Sequence, residues 1–271
     1  MASKVALIKN VNPEVAVEKV LKLINAGNYI SGSDRILIKP NYLSAKHPST
    51  GVTTDTRVIS TIIKFVKYYG VKKIVVGDGG WSDTDRVFDV VGIREVAKRE
   101  GVKLVDLNDD ERVRVRIPGA SALKEVDLAK AVLECDTIIN VPKLKIHGFA
   151  KVTLGIKNLM GAILPKSIMH DRLDEKLVDL ASFLKPKLTI IDGTVGCEGN
   201  ELSGEPVKMD LIIGGMDIVA VDTIGSLVMG VDPTEVGYIK LASERGLGTM
   251  DLREIEVVGE KIEEVKRNFR R

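Results

Sequence analysis

The sequence predicts an α/β fold: a mostly parallel sheet flanked by helices, in a Rossmann-like three-layer architecture. Three observations lead there. Short apolar runs of strand length, such as Ile36-Leu37-Ile38 and Ile138-Ile139, alternate with longer stretches whose apolar residues recur at helical spacing. This alternation is the rhythm of a parallel sheet with helical crossovers. Gly and Pro punctuate the joints, at Gly27, Pro40, Gly70 and Pro142. A chain of 271 residues also buries about 75% of its unfolded surface, enough for one large core. A single domain over residues 1–271 is expected, with a small subdomain at about 167–206 as a variant.

The elements follow in order. Residues 5–9 read as a first strand, and Pro13 opens a helix with the apolar face Val17, Val20, Leu21 and Ile24, stopped by Gly27. Residues 35–39 form a second strand ending at Pro40, and a helix from about Thr54 carries Val58, Ile59, Ile62, Ile63 and Val66 to Gly70. A strand at 73–76, a helix over 85–99 bent near Gly92 and a strand at 103–106 come next. Basic and apolar residues alternate over 113–117, which fits an edge or hairpin strand. Residues 123–134 read as helix and 137–141 as a strand stopped by Pro142. From Val152 a helix is expected, with Val152, Ile156, Leu159, Met160 and Ile163 along one stripe. A helix at 174–184, strands at 188–192 and 210–213, helices from Asp217 and over 234–244, a strand at 255–258 and a charged helix or tail over 261–271 complete the chain.

Composition narrows the functions. Hydrophobic content of 44% and charged content of 29% suit an ordinary soluble globular protein. The 40 basic and 38 acidic residues nearly cancel to a net charge of +2, so nothing argues for nucleic acid, and any anion site must be local. Cys135 and Cys197 are too few for a disulfide framework or a four-thiolate iron–sulfur cluster. They read as reduced thiols of a cytoplasmic protein. The N-terminal residues are too polar for a signal peptide, and apolar runs break off well before the roughly 18 residues of a membrane span. The absence of glutamine beside abundant Lys, Glu, Arg, Val and Ile suggests a thermophilic source.

Four strand ends recruit polar residues. Lys39-Pro40-Asn41 follows the second strand and Gly77-Asp78-Gly79-Gly80 the third; Lys143-Leu144-Lys145-Ile146-His147 lies past Pro142, and Asp192-Gly193-Thr194 ends a later strand. Parallel strands would bring all four to one edge, where open α/β sheets bind ligands. Extended backbone beyond Pro142 would put Lys143, Lys145 and His147 on one face, with Leu144 and Ile146 turned inward. The repulsion among such cations would be relieved by an anion. Structural readings stand beside these: Lys39 as the end of an exposed strand, Gly77 to Gly80 as a tight turn using positive φ, and Thr54 within a helix-capping segment. His47, His147 and His170 lie in polar segments without metal-ligand spacing, and each is either solvated or an acid–base group near neutral pH. His170-Asp171-Arg172 reads as a loop able to close over the site. Asp222, in an apolar helix, needs a lysine or the site as partner. Glu198 sits in a glycine-rich loop and is equally open.

These residues carry a resemblance. Ile36-Leu37-Ile38-Lys39-Pro40-Asn41, Val52-Thr53-Thr54, Val76-Gly77-Asp78-Gly79, the block from Asn140 to His147 and the run from Thr153 to Gly161 together resemble the domain-of-unknown-function 362 family. So do His170, Asp192-Gly193, Glu198-Gly199-Asn200, Ala220-Val221-Asp222 and Glu244-Arg245-Gly246-Leu247-Gly248. Some relatives in this family carry a ferredoxin-like segment with cysteine clusters, which this chain lacks. A fainter similarity is to the N-terminal domain of nickel-dependent lactate racemase, from His147-Gly148-Phe149-Ala150 to Ile163-Leu164-Pro165, without that family's glycine-rich centre.

The resulting expectation is a cytoplasmic enzyme that binds a small anionic ligand, a phosphate or a carboxylate. Catalytic roles are expected for His147, His170 and Lys145. Ligand binding is expected from Lys39, Asn41, Thr54, Asp78, Lys143, Lys157 and Asn158. The cofactor is left open; a divalent metal would draw on Asp192, Glu198 and Asp222. The alternatives are an accessory or ligand-carrying module for a ferredoxin-like or redox partner, and a metal-dependent racemase-like enzyme. Neither a nucleic-acid nor a membrane partner is expected.

Overall fold

Polar caps and apolar stripes set where each helix begins and which side it buries. In the computed structural model, which describes residues 2–271, β1 (Ser3–Lys9) leads to α1 (Pro13–Leu23), β2 (Arg35–Lys39), α2 (Thr56–Tyr68) and β3 (Lys73–Asp78). Next come α3 (Thr84–Val91), α4 (Ile93–Glu100), β4 (Lys103–Asp106), β5 (Arg112–Arg116), β6 (Glu125–Ala129) and α5 (Lys130–Leu133). The strands β7 (Thr137–Asn140), β8 (Lys143–His147) and β9 (Lys151–Thr153) precede α6 (Gly155–Asn158), β10 (Ile163–Leu164) and α7 (Leu173–Leu184). Two long strands, β11 (Leu188–Glu198) and β12 (Glu205–Gly215), are followed by α8 (Ile218–Val228), α9 (Gly237–Glu244), β13 (Ile255–Gly259) and α10 (Ile262–Val265). Asn12 caps α1 by accepting from the Glu14 N–H, Asp55 caps α2 at Arg57, and Asp217 caps α8 at Val219 and Ala220. Gly92, with φ of 80°, takes the left-handed turn that separates α3 from α4, where the bend was expected.

The main sheet runs β13-β1-β12-β11-β7-β2-β3-β4. From β11 to β4 the neighbours are all parallel, while β12 is antiparallel to both β11 and β1. Alternate strand residues feed two cores. Ala6, Ile8, Ile36 and Ile38 meet Val17, Val20, Ile59, Ile62 and Phe88 from α1 to α3. Val5, Leu7 and Leu37 face the other side, with Leu177, Val221 and Ile239 from α7 to α9. Each such side chain contributes about 1.5–3 kcal/mol when fully buried. The fold is thus α/β with a mostly parallel sheet and helices on both faces, as the sequence predicts.

Two segments depart from expectation for tertiary reasons. Residues 125–129 form a strand instead of helix, because β6 lies between β5 and β10 in a small antiparallel sheet. Val126 and Leu128 point to the core while Asp127 faces Arg114 at 2.7 Å, a period of two. The helix expected from Val152 shrinks to α6. Val152 is paired with Ile146 in β9, and Ile163 is drawn to Leu128 of β6. Residues 167–206 supply α7 and all of β11, a strand of the main sheet.

Leu144, fully buried on the core face of β8, tests this packing. Leu144→Ala is expected to lower unfolding free energy by about 2–5 kcal/mol in urea titration. A loss below about 0.5 kcal/mol, the range of neutral surface changes, would contradict the packing.

Candidate functional site

Parallel pairing does what the sequence requires of it: the strand ends meet. Lys39 is in register with Asn140, Asn140 with Thr189, and Lys143 with Asp192. Past Pro142 the chain stays extended as β8 and continues along β11, so Lys143, Lys145 and His147 share a face while Leu144 and Ile146 enter the core. The lysines, however, do not face water. Lys39, Lys143 and Lys145 are all essentially inaccessible.

Two of them form buried ion pairs. Lys39 Nζ lies 2.6 Å from Asp78 Oδ1 and 3.2 Å from the Pro40 carbonyl, and the Tyr42 N–H donates to Asp78 Oδ2 at 2.7 Å. Burial pushes the Lys39 ammonium below its usual range, with Asp78 opposing. Lys143 Nζ lies 2.7 Å from Asp192 Oδ2, which also accepts the Asp55 N–H at 2.7 Å. Thr194 donates to Asp192 Oδ1 through both its N–H and its hydroxyl. Lys39 is therefore the buried end of an interior strand, and Gly77, Gly79 and Gly80 are not at positive φ. These glycines and Gly161 serve close approach instead. A Cβ on Gly161 would stand 2.1 Å from Asp78 Oδ1 and 2.7 Å from Lys39 Nζ.

An amide ladder joins the loops. Asn41 Nδ2 donates to Asn158 Oδ1 at 2.7 Å, Asn158 Nδ2 to Asn140 Oδ1 at 2.8 Å, and Asn140 Nδ2 to the Gly155 carbonyl at 2.8 Å. The Thr54 hydroxyl accepts from the Asn41 N–H and donates to the Val141 carbonyl. Asn41, Thr54 and Asn158 hold the edge together with their own polar atoms.

Three further lysines have no ion-pair partner among the described residues. Lys145 Nζ donates to Asn41 Oδ1 at 2.9 Å and the Val52 carbonyl at 3.0 Å, and burial pushes its ammonium down to about 7. Lys157 Nζ meets only the Met160 thioether sulfur, at 2.9 Å, and burial lowers it to about 8. Lys166 Nζ donates to Asn108 Oδ1 at 2.6 Å, and burial likewise lowers it to about 8. Beside Lys166, Arg112 donates to the Leu107 and Asn108 carbonyls while its buried Nη1 finds no partner. The sequence reading missed Lys166, Arg112 and Asn108. The basic alternation of β5 was their one visible signal, and it pointed to an edge strand.

The histidines behave differently from expectation. His147 Nδ1 accepts from the Phe149 and Ala150 N–H groups at 3.2 and 3.3 Å, leaving its proton on Nε2, 3.8 Å from Glu201 Oε1. Burial and then Lys157 push its pKa down to about 4, so it is neutral at pH 7 and does not titrate there. His170 is exposed at the end of a turn, without a side-chain hydrogen bond among the described residues. His47 caps another turn, at Ser49.

The three carboxylates considered for a metal are dispersed. Asp192 serves Lys143, Glu198 is held by Arg270 at 2.6 Å, and Asp222 caps α6 by accepting the Gly155 and Ile156 N–H groups at 2.6 and 2.9 Å. Among the described residues Asp222 has no lysine partner, and burial raises it to about 7 against those two bonds. Among the described residues, no three His, Cys, Asp or Glu side chains stand together as a metal site. Asp192, Glu198 and Asp222 therefore do not make one metal site. No described helix is long and apolar enough to cross a membrane.

Residues 36–226 match the family described as domain of unknown function DUF362. The chain belongs to this family. Its matched span runs from β2 to α8 and contains both ion pairs, the amide ladder and all three unpaired lysines. A thylakoid-associated protein of Synechocystis, sll1697, is 26% identical over 231 residues, covering 82% of this chain and 71% of that protein. Among solved structures, the lactate racemase apoprotein of Thermoanaerobacterium thermosaccharolyticum is similar at a TM-score of 0.52 and 13% identity. That likeness covers 84% of this chain and 57% of the racemase chain, and it shows a shared fold alone.

The electrostatics of the edge are testable through stability. Asp78→Asn leaves Lys39 buried without its counter-charge and is expected to lower stability by about 3–5 kcal/mol; a loss under about 1 kcal/mol in urea titration would mean that the pair is not buried. Lys145 keeps its proton to about 7 when folded and, in the unfolded chain, to the ordinary 10.5. Between these values the unfolded state binds more protons, so stability rises with pH across that window. Lys145→Met should flatten this rise and stabilise the protein most at pH 7 and below. Parallel stability–pH curves for the two proteins would contradict the shifted ammonium.

Proposed function

We propose that the protein binds a small anionic metabolite, a carboxylate or phosphate, at this strand-end edge and performs acid–base chemistry on it. The observation that carries this reading is the set Lys145, Lys157 and Lys166. They are three ammonium groups at one edge, Lys145 buried and Lys157 and Lys166 half-buried, none with a carboxylate within ion-pair distance among the described residues. Desolvated cations without counter-charges are unstable as they stand, and an anion brought among them restores their charge. Lys157 and Lys166, half-buried, are the groups an incoming anion meets first. Lys145 lies deeper, and with its pKa near 7 it exchanges a proton readily at neutral pH. His147, neutral in this setting, offers its Nε2 proton as a hydrogen-bond donor. The Lys39–Asp78 and Lys143–Asp192 pairs serve as fixed walls. This assignment keeps Lys145, His147 and Lys157 of the expected residues and sets His170 aside.

Calorimetric titration with inorganic phosphate and with a panel of small carboxylates tests the reading. At least one anion is expected to bind, with Lys157→Ala and Lys166→Ala each weakening it by tenfold or more, the scale of a lost charged hydrogen bond of about 1.5–3 kcal/mol. Folding stability should be retained in both variants. Failure of every anion to bind, or unchanged affinity in both variants, would overturn it.

A further inference from the structure

The turn between β11 and β12 places one carboxylate over the edge. Glu201 Oε2 accepts the Gly148 N–H at 3.2 Å, and its Oε1 stands 3.8 Å from His147 Nε2. The Glu201 backbone carbonyl receives Lys145 Nζ at 3.5 Å. Its charge acts on Lys145, Lys157 and His147 alike, in each case opposing their loss of charge on burial. No other carboxylate acts on all three among the described residues. Among the described residues no side chain other than His147 lies within ion-pair or hydrogen-bond reach of the Glu201 carboxylate, which sits on a turn with Leu202 and Ser203 exposed. Asn200 organises that turn independently, accepting the Leu202 and Ser203 N–H groups at 2.8 and 3.1 Å.

We propose that Glu201 is an internal stand-in for the ligand: its carboxylate occupies the place at the Gly148 N–H and beside His147 Nε2, within the field of Lys145, that a small carboxylate ligand takes when the Glu201 side chain rotates away. The inference rests on the anion-binding reading above and narrows it to a ligand class. A backbone N–H bonded to this carboxylate and an imidazole N–H facing it, with the Lys145 ammonium held at the same residue's backbone carbonyl, are the kinds of donor a free carboxylate would use. An occupant tethered to the chain competes with the free ligand, so removing its charge should raise affinity. The device keeps the cations partly compensated until substrate arrives.

Calorimetry with acetate and with inorganic phosphate on the wild type, Glu201→Gln, Glu201→Ala and Glu198→Gln tests this. Glu198 lies on the same hairpin but is held by Arg270, so it controls for disturbance of the turn. Both Glu201 variants are expected to bind acetate about tenfold tighter or more, since a like charge has been removed from the place the anion enters. Glu198→Gln should match the wild type. If the wild type binds an anion and the Glu201 variants bind it no tighter, the stand-in is overturned while the edge reading survives. If none of the proteins binds either anion, both fall. A gain for phosphate without a gain for acetate would overturn the carboxylate assignment.

Discussion

The desolvation of ammonium groups at the end of a parallel sheet is the constraint on which this structure turns. A lysine withdrawn from water is tolerated when a carboxylate and further hydrogen bonds receive it. Lys39 with Asp78 and Lys143 with Asp192 meet that condition, with the Tyr42 and Thr194 N–H groups occupying the carboxylates' remaining oxygens. Their geometry depends on the register of β2, β3, β7 and β11, and Gly161 lets the chain after α6 close over the first pair. The polar edge and the apolar sheet are thus one construction. Displacing any of these strands would strand a buried charge.

Against those satisfied pairs, Lys145, Lys157 and Lys166 stand out by what they lack. Their acceptors are amide and carbonyl oxygens or a thioether, all uncharged. A purely structural lysine in such a place would gain a carboxylate or be replaced by an apolar residue of similar volume. The contrast within a single edge, between cations that are paired and cations that are not among the described residues, is what the proposed site rests on. Glu201 fits between the two classes, near enough to act on Lys145 and Lys157 through its field and too far to form an ion pair with them.

Much of this was legible in the sequence. The β–α rhythm, the bend at Gly92 and the inward turn of Leu144 and Ile146 follow from local periodicity, and the convergence of strand ends follows from parallel pairing. What local pattern could not supply was partnership. Glu125 to Ala129 carries helix-compatible residues, yet antiparallel neighbours on both sides made it a strand. Asp222 looked like a charge seeking a lysine, and its partners are two backbone N–H groups of a helix 66 residues or more away in sequence. Lys39 and Lys143 looked like ligand-binding cations, and each is consumed by an aspartate that only the fold brings near. His147 looked like a neutral-pH titrating group until its burial was known. The match to DUF362 and the likeness of fold to lactate racemase place the chain without naming its chemistry, which leaves the charge state of the edge as the quantity of interest.

That quantity is directly measurable. A titration of the lysine side chains by NMR, following Cε and Nζ resonances from pH 6 to 11, reads each ammonium separately. Lys145 should titrate near 7, with Lys157 and Lys166 near 8, and all three should move toward the ordinary lysine value of about 10.4 when a binding anion is added. Titration of all three at ordinary lysine values in the free protein would contradict the account.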